Sequence, residues 1–142
     1  MKKVLTLLAM TALLIMAAGC AKEEFAEPPV YGKIYCTTAH PKVGDTVTLK
    51  IEIVHPGNRL NSAEYRWKIK EGSTWVGEKT VKVLRQSGKK SITAAPTIDW
   101  VFKESGKYNI TMTAYFSYTM GDVNSVMKGN GAASGQVQIF YE

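Results

Sequence analysis

Two cysteines and two histidines are all that the 142 residues hold toward thiol or imidazole chemistry. His40 precedes Pro41 and His55 precedes Pro56, which biases both toward extended-to-turn junctions in solvated loops. Neither stands in a serine or cysteine motif, so nothing indicates a base-activated nucleophile. The two histidines and Cys36 lie at wide, irregular spacings that make no zinc pattern. Aspartates are few: Asp45, Asp99 and Asp122 stand alone, and no Asp-x-Asp-x-Asp calcium loop occurs. No spacing singles out a carboxylate pair for glycoside cleavage. Gly129-Asn130-Gly131 is not a phosphate loop, because no helix follows it. A helical period is missing too: beyond the first twenty residues no segment repeats its apolar positions every 3.6 residues. The expectation is a non-enzymatic protein without metal or cofactor. Lysine and arginine outnumber aspartate and glutamate 18 to 12, for a net charge of +6. That surplus is spread along the chain and does not indicate nucleic acid.

What the chain does have begins with a leader. Lys2 and Lys3 precede an uncharged run of Leu, Ile, Met and Ala from Val4 to Ala18, and Ala17-Ala18-Gly19 then leads into Cys20. The run is too short for the ~30 Å core of a bilayer and has the layout of a secretory signal peptide. With a cysteine directly after the small residues it resembles the lipobox of bacterial lipoproteins. That resemblance implies cleavage before Cys20, a lipid thioether on Cys20 and acylation of the new amino terminus. Ala21-Lys22-Glu23-Glu24 is in turn similar to the export signal of surface lipoproteins in Bacteroidota. It implies lipid anchoring in the outer membrane with display at the cell surface. Several acyl chains hold firmly, since each buried methylene contributes about 0.8 kcal/mol. A lipid-linked Cys20 would leave Cys36 unpaired, a small buried hydrophobe in a domain with no internal disulfide.

The expected layout is a leader over 1–19, the lipidated cysteine and a Pro28-Pro29-stiffened tether over 20–30, and one domain over 31–142. The domain reads as strands. Val47, Leu49, Ile51 and Ile53 alternate with Thr48, Lys50 and Glu52. Tyr65, Trp67 and Ile69 alternate with Arg66, Lys68 and Lys70. Shorter stretches follow at Thr80–Val83 and Ile98–Phe102. Tyr108, Ile110, Met112 and Ala114 then alternate with Asn109, Thr111 and Thr113, and Val137, Ile139 and Tyr141 with Gln136, Gln138 and Phe140. Tyr31–Thr37 opens the set. About seven half-buried strands between Gly, Pro, Asn and Ser turns predict an all-β fold of two antiparallel sheets face to face.

Three fragments resemble immunoglobulin-type domains in their order. Gly44 to Ile51 is similar to strand B, with Ile51 at the position of the first cysteine. Trp67 stands where strand C carries its buried tryptophan. Glu104-Ser105-Gly106-Lys107-Tyr108-Asn109-Ile110 resembles the tyrosine corner, with Ile110 at the position of the second cysteine. Tyr65-Arg66-Trp67, Trp100-Val101-Phe102 and Gly106-Lys107-Tyr108 also look like PKD-type strands, although Glu71-Gly72-Ser73 replaces the Gly-Asp-Gly turn common there. The resemblance implies a single Ig-like/PKD-like β-sandwich with Ile51, Trp67, Tyr108 and Ile110 as its fold signature.

On such a fold the strands at Trp67, Tyr108 and Val137 share a sheet, and the resemblance places one candidate binding face on it. Its residues are Arg66, Lys68 and Lys70; Asn109, Thr111, Thr113 and Tyr115; and Gln136, Gln138 and Phe140. Cations, amides and hydroxyls beside two aromatic rings suit a glycan. A fifteen-residue connection from Thr119 to Ala133, with Met120, Val126 and Met127, is a second candidate contact. The resulting expectation is a monomeric surface lipoprotein for adhesion or interaction, its partner a glycan or an envelope protein. The alternative is an accessory subunit of an outer-membrane complex, with Met120 and Met127 buried in an interface.

Overall fold

The computed structural model describes residues 26–92, 96–119 and 126–142. Leader, Cys20 and most of the tether lie outside them. Seven strands follow one another: β1 (Val30–Cys36), β2 (Thr46–His55), β3 (Leu60–Glu71), β4 (Thr74–Leu84), β5 (Ile98–Val101), β6 (Gly106–Thr119) and β7 (Val126–Ile139). Each expected strand is present. Several are longer than their alternation announced, β4 and β7 most of all. In β4 the added length includes an irregular stretch. Its residues Trp75 to Gly77 carry no period-two signal, yet they pair with β3 across a bulge near Lys70.

The strand order is β4-β3-β6-β7-β1-β2-β5. β1, β2 and β5 make one antiparallel layer, and β4, β3, β6 and β7 make the other. The layers are not two separate antiparallel sheets as expected. β1 also meets β7 in parallel, at Lys33 and Ser134. Gly135 permits this crossing, because a Cβ there would collide with the Ile34 carbonyl oxygen. One strand thus stitches the layers together along one side and leaves β4 and β5 as the free edges.

The inward rows of both layers form a single core. It includes Val47, Leu49 and Ile51 of β2, Tyr65, Trp67 and Ile69 of β3, and Tyr108, Ile110, Met112 and Ala114 of β6. The four signature residues are all buried, Trp67 and Ile110 completely. The Tyr108 hydroxyl donates to the Glu104 carbonyl oxygen at 2.8 Å, closing the tyrosine corner, and the Phe102 ring sits 4.5 Å from the Tyr108 ring. Burial raises the Tyr108 pKa, with the Glu71 and Glu104 charges adding to the shift. Cys36 is a free, half-buried thiol that packs against the core, its sulfur accepting from the Thr38 N–H at 3.3 Å.

Two inward assignments fail at strand ends. Ile53 is exposed, because the layer opposite does not extend over the last residues of β2. Tyr141 is exposed because the chain leaves the sheet after Phe140 bridges to Lys42. Within the stretch expected as tether, Glu27 accepts from the Asn58 N–H at 2.9 Å and its carboxylate lies 3.1 Å from His55. His55 is therefore a half-exposed docking residue rather than a free loop histidine.

Ile51→Ala should cost about 2–5 kcal/mol as a large-to-small change in a close-packed interior. Urea denaturation of the protein from Ala21 onward measures it, and a loss below about half a kcal/mol would show that Ile51 is not part of the dry core.

Candidate functional site

The pleat sends Arg66, Lys68, Lys70, Asn109, Thr111, Thr113, Tyr115, Gln136 and Gln138 to the outer face of the β4-β3-β6-β7 layer, where each is at least partly exposed. The register sets out the face row by row. Lys70, Asn109 and Gln136 lie side by side, then Lys68, Thr111 and Ser134, then Arg66, Thr113 and Ala132. The Gln136 side-chain amide donates to Asn109 Oδ1 at 2.9 Å. A shallow hollow of about 290 Å³ lies nearby, where Gly32 approaches Thr111, Thr113 and Ser134.

The two aromatic residues of this face do not meet. Tyr115 pairs with Asn130 near one end, whereas Phe140 follows Ile139, the partner of Gly106, at the other. Ten residues of extended strand separate them, roughly 33 Å. Phe140 packs edge-on against His40, with ring centres 5.5 Å apart. Tyr115 is covered as well: the Arg66 guanidinium carbon sits 4.8 Å above its ring. No sugar-stacking platform made of both rings exists. Of the Thr119–Ala133 connection, the residues from Val126 onward are not loop but strand β7 paired along β6. Met120 lies outside the described residues, and Val126 and Met127 are exposed at the hairpin's end.

Arg66 and Tyr115 belong to a small charge network. Arg66 Nε donates to Glu64 Oε1 at 2.6 Å, and Lys82 Nζ stands 3.5 Å from the other carboxylate oxygen. The hydrogen bond from Arg66, reinforced by the charges of Arg66 and Lys82, holds the Glu64 carboxyl below its usual range.

A different place gathers aromatic surface. Where the β3–β4 turn meets β5 and the start of β6, a cleft of about 390 Å³ is lined by Glu71, Thr74, Trp75, Val76, Trp100, Val101, Lys103, Glu104 and Tyr108. Trp75 is 49% exposed, and Val76 and Val101 are exposed beside it. Each wall has a local cause. Gly72, at φ 57, makes the tight turn that returns the chain from Glu71 to Thr74. Gly77 carries no side chain where the Trp100 ring lies against β4; a Cβ there would come within 2.5 Å of the ring. Gly106, at φ 149, lets the Glu71 carboxylate lie over its backbone. Among the described residues Glu71, Lys103 and Glu104 form no ion pair with one another. The cleft therefore presents the exposed Trp75 indole beside the half-buried Trp100, with two carboxylates and an ammonium at its rim. Sequence reading missed it: Trp75 sits in a stretch without alternation, and Trp100 shows only as an inward strand residue.

Among the described residues no group of three or more His, Cys, Asp and Glu side chains is placed to hold a metal ion.

The Glu64 pair gives a pH signature. A depressed folded pKa means that the pair's stabilisation is present above the unfolded value and fades as pH falls through the folded one. In a side-chain NMR titration Glu64 should therefore titrate below the usual carboxylate range, and Arg66→Ala should move its midpoint upward. An unchanged midpoint would show that the pair does not form in solution.

No protein-family profile matches the chain, and no curated protein matches it. Among solved structures it is similar to the CARDB domain of a Pyrococcus furiosus protein, a crystal structure in complex with di-metal ions. The TM-score is 0.51 at 20% sequence identity, over 84% of this chain and 97% of that one. At that identity the likeness speaks for the fold alone: this chain is an all-β, Ig-like sandwich.

Proposed function

We propose that the protein is a non-enzymatic, lipid-anchored module of the cell surface, and that it binds a glycan through the Trp75–Trp100 cleft. The observation that carries the binding reading is the pair of indoles lining one cleft. A sugar ring has an apolar C–H face and a rim of hydroxyls that both donate and accept. Indoles cover such a face, Glu71 and Glu104 accept from hydroxyls, and Lys103 donates to them. The mixed signs at the rim favour hydroxyls over a cationic ligand, which Lys103 would repel. A volume near 390 Å³ suits one or two sugar rings. The lipobox-like leader ending at Cys20 supports the anchor.

The position of the cleft fits display. β1 enters with Val30 opposite His55, and Glu27 is bound to Asn58, so the tether joins at the end where β2 stops and β3 begins. Glu71 lies eleven residues along β3 from Leu60, about 36 Å away at the opposite end. A domain tethered through Cys20 would hold the cleft away from the bilayer. Exposed Val126 and Met127 favour a second reading, in which the β6–β7 tip docks on a larger envelope complex.

Two measurements separate anchor from ligand. Growth with a fatty-acid label should mark the full chain, and Cys20→Ala should lose the mark; label retained in that variant would remove the anchor. For the ligand, the protein from Ala21 onward contains all seven strands and has three tryptophan side-chain N–H signals. Titration with cellobiose, lactose or N,N′-diacetylchitobiose should shift the Trp75 and Trp100 signals while buried Trp67 stays still. Trp75→Ala should weaken that binding about tenfold, and Gly77→Ala, which displaces the Trp100 ring, should weaken it too. No shift with any of the three sugars, or a shift with choline alone, would overturn the glycan assignment.

A further inference from the structure

The end of the sandwich opposite the cleft has a composition of its own. The pairings Leu60 with Tyr118, Ser62 with Leu84, Thr119 with Val126 and Val30 with His55 bring the ends of five strands and the start of β1 together there. Backbone bonds tie the connecting segments to the same place: Arg85 N–H to the Asn61 carbonyl at 2.8 Å, Ile92 N–H to Leu60 at 3.1 Å, and Thr119 N–H to Arg59 at 3.3 Å.

Exposed apolar side chains collect at this end. Leu84 is 75% exposed and Val54 64%, with Val30, Val126 and Met127 also open to solvent. Such residues scattered singly need no explanation, but five at one end of a small domain do. Cations stand among them: Arg59, Arg85, Lys89, Lys90 and Lys128. Of the acids nearby, Glu27 faces His55, and Glu52 accepts from the Lys33 N–H at 3.2 Å. Arg85 is fixed over its own turn, its guanidinium donating to the Lys89 carbonyl at 2.6 Å. Arg59 adopts φ 56, a left-handed conformation that is unfavourable for a non-glycine residue.

The occupant follows from the chain's own path. Seven residues lead from Cys20 to Glu27, which at full extension reach at most about 25 Å. If Cys20 carries the lipid, this end can never be far from the headgroups. A surface of small apolar side chains ringed by cations complements anionic lipid phosphates over a shallow hydrocarbon boundary. We propose that the Leu84–Met127 end of the domain docks on an anionic bilayer surface, so that the tether and this end together stand the domain upright with the Trp75–Trp100 cleft outermost.

Each lysine or arginine close to an anionic surface adds to the attraction, and the contribution decays over a Debye length of about 8 Å at physiological salt. The short tether adds to this by keeping the local lipid concentration high. The orientation rests on the anchoring reading, whereas the affinity of the end for lipid does not.

The test therefore uses the unlipidated protein from Ala21 onward, which contains every strand and core residue. Vesicles of phosphatidylcholine alone are compared with vesicles of phosphatidylcholine and phosphatidylglycerol in a sedimentation assay. The expected result is binding to the anionic vesicles at low salt, lost as salt rises, with little binding to the neutral ones. The combined variant Arg85→Glu, Lys89→Glu, Lys90→Glu should reduce partitioning at least about tenfold. Leu84→Ser with Met127→Ser should weaken it with less effect on its salt dependence. Lys68→Glu with Lys70→Glu, on the outer face of β3, should leave it within about twofold. Absence of binding to anionic vesicles at low salt would overturn the proposal, as would binding that survives the first variant and falls in the last. Failure here with lipid label still found on Cys20 would remove the docking and leave the anchor standing.

Discussion

The sandwich closes around a dry interior with no covalent link between its layers. Ile51 and Ile110 occupy the positions where an immunoglobulin-type bridge would sit, and both are buried with Trp67 in one continuous core. A native disulfide is typically worth about 2–5 kcal/mol, and burying an isoleucine fully is worth about 1.5–3 kcal/mol. Two isoleucines therefore supply a comparable amount, provided that nothing opens the space between them. The tyrosine corner from Tyr108 to Glu104 and the parallel contact of β1 with β7 add polar ties around the same core.

Rigid layers of antiparallel strands also fix what lies at each end. Long, nearly full-length strands leave the chemistry to their turns, and the turns alternate between ends. One end receives the tether, together with Leu84, Val126, Met127 and a set of cations. The other receives Glu71, Trp75, Trp100, Lys103 and Glu104. The net charge of +6 says nothing of this division: five cations stand at the end where the chain enters, and two carboxylates with Lys103 stand at the remote cleft. The outer face of the β4-β3-β6-β7 layer is different again: its charges are partly consumed in the Glu64–Arg66–Lys82 network and its amides in cross-strand pairs.

The seven strands, their inward rows and the four signature residues were legible in the residues themselves. Period-two alternation depends only on the pleat, which is a local property of extended chain. Ile53 and Tyr141 show the limit of that reading. Both continue a correct alternation past the point where an opposing layer still covers it. Strand β4 shows another limit, since an edge strand need bury neither face and so Trp75 to Gly77 carry no pattern. The stretch after Val126 is poor in β-formers and rich in glycine, yet it is strand, because β6 supplies a partner along its whole length.

From the sequence alone come the all-β class and which side of each strand faces inward. These depend on neighbours along the chain. Only the tertiary structure decided the register, and with it how far along one strand a residue meets the next. Register parted Tyr115 from Phe140 by roughly 33 Å, although both lie on the face assigned to them. It also set Trp75 beside Trp100 across a glycine that sequence marks only as a weak strand position. Alternation repeats every two residues and so cannot say which repeat faces which; that choice is made by the packing of the core.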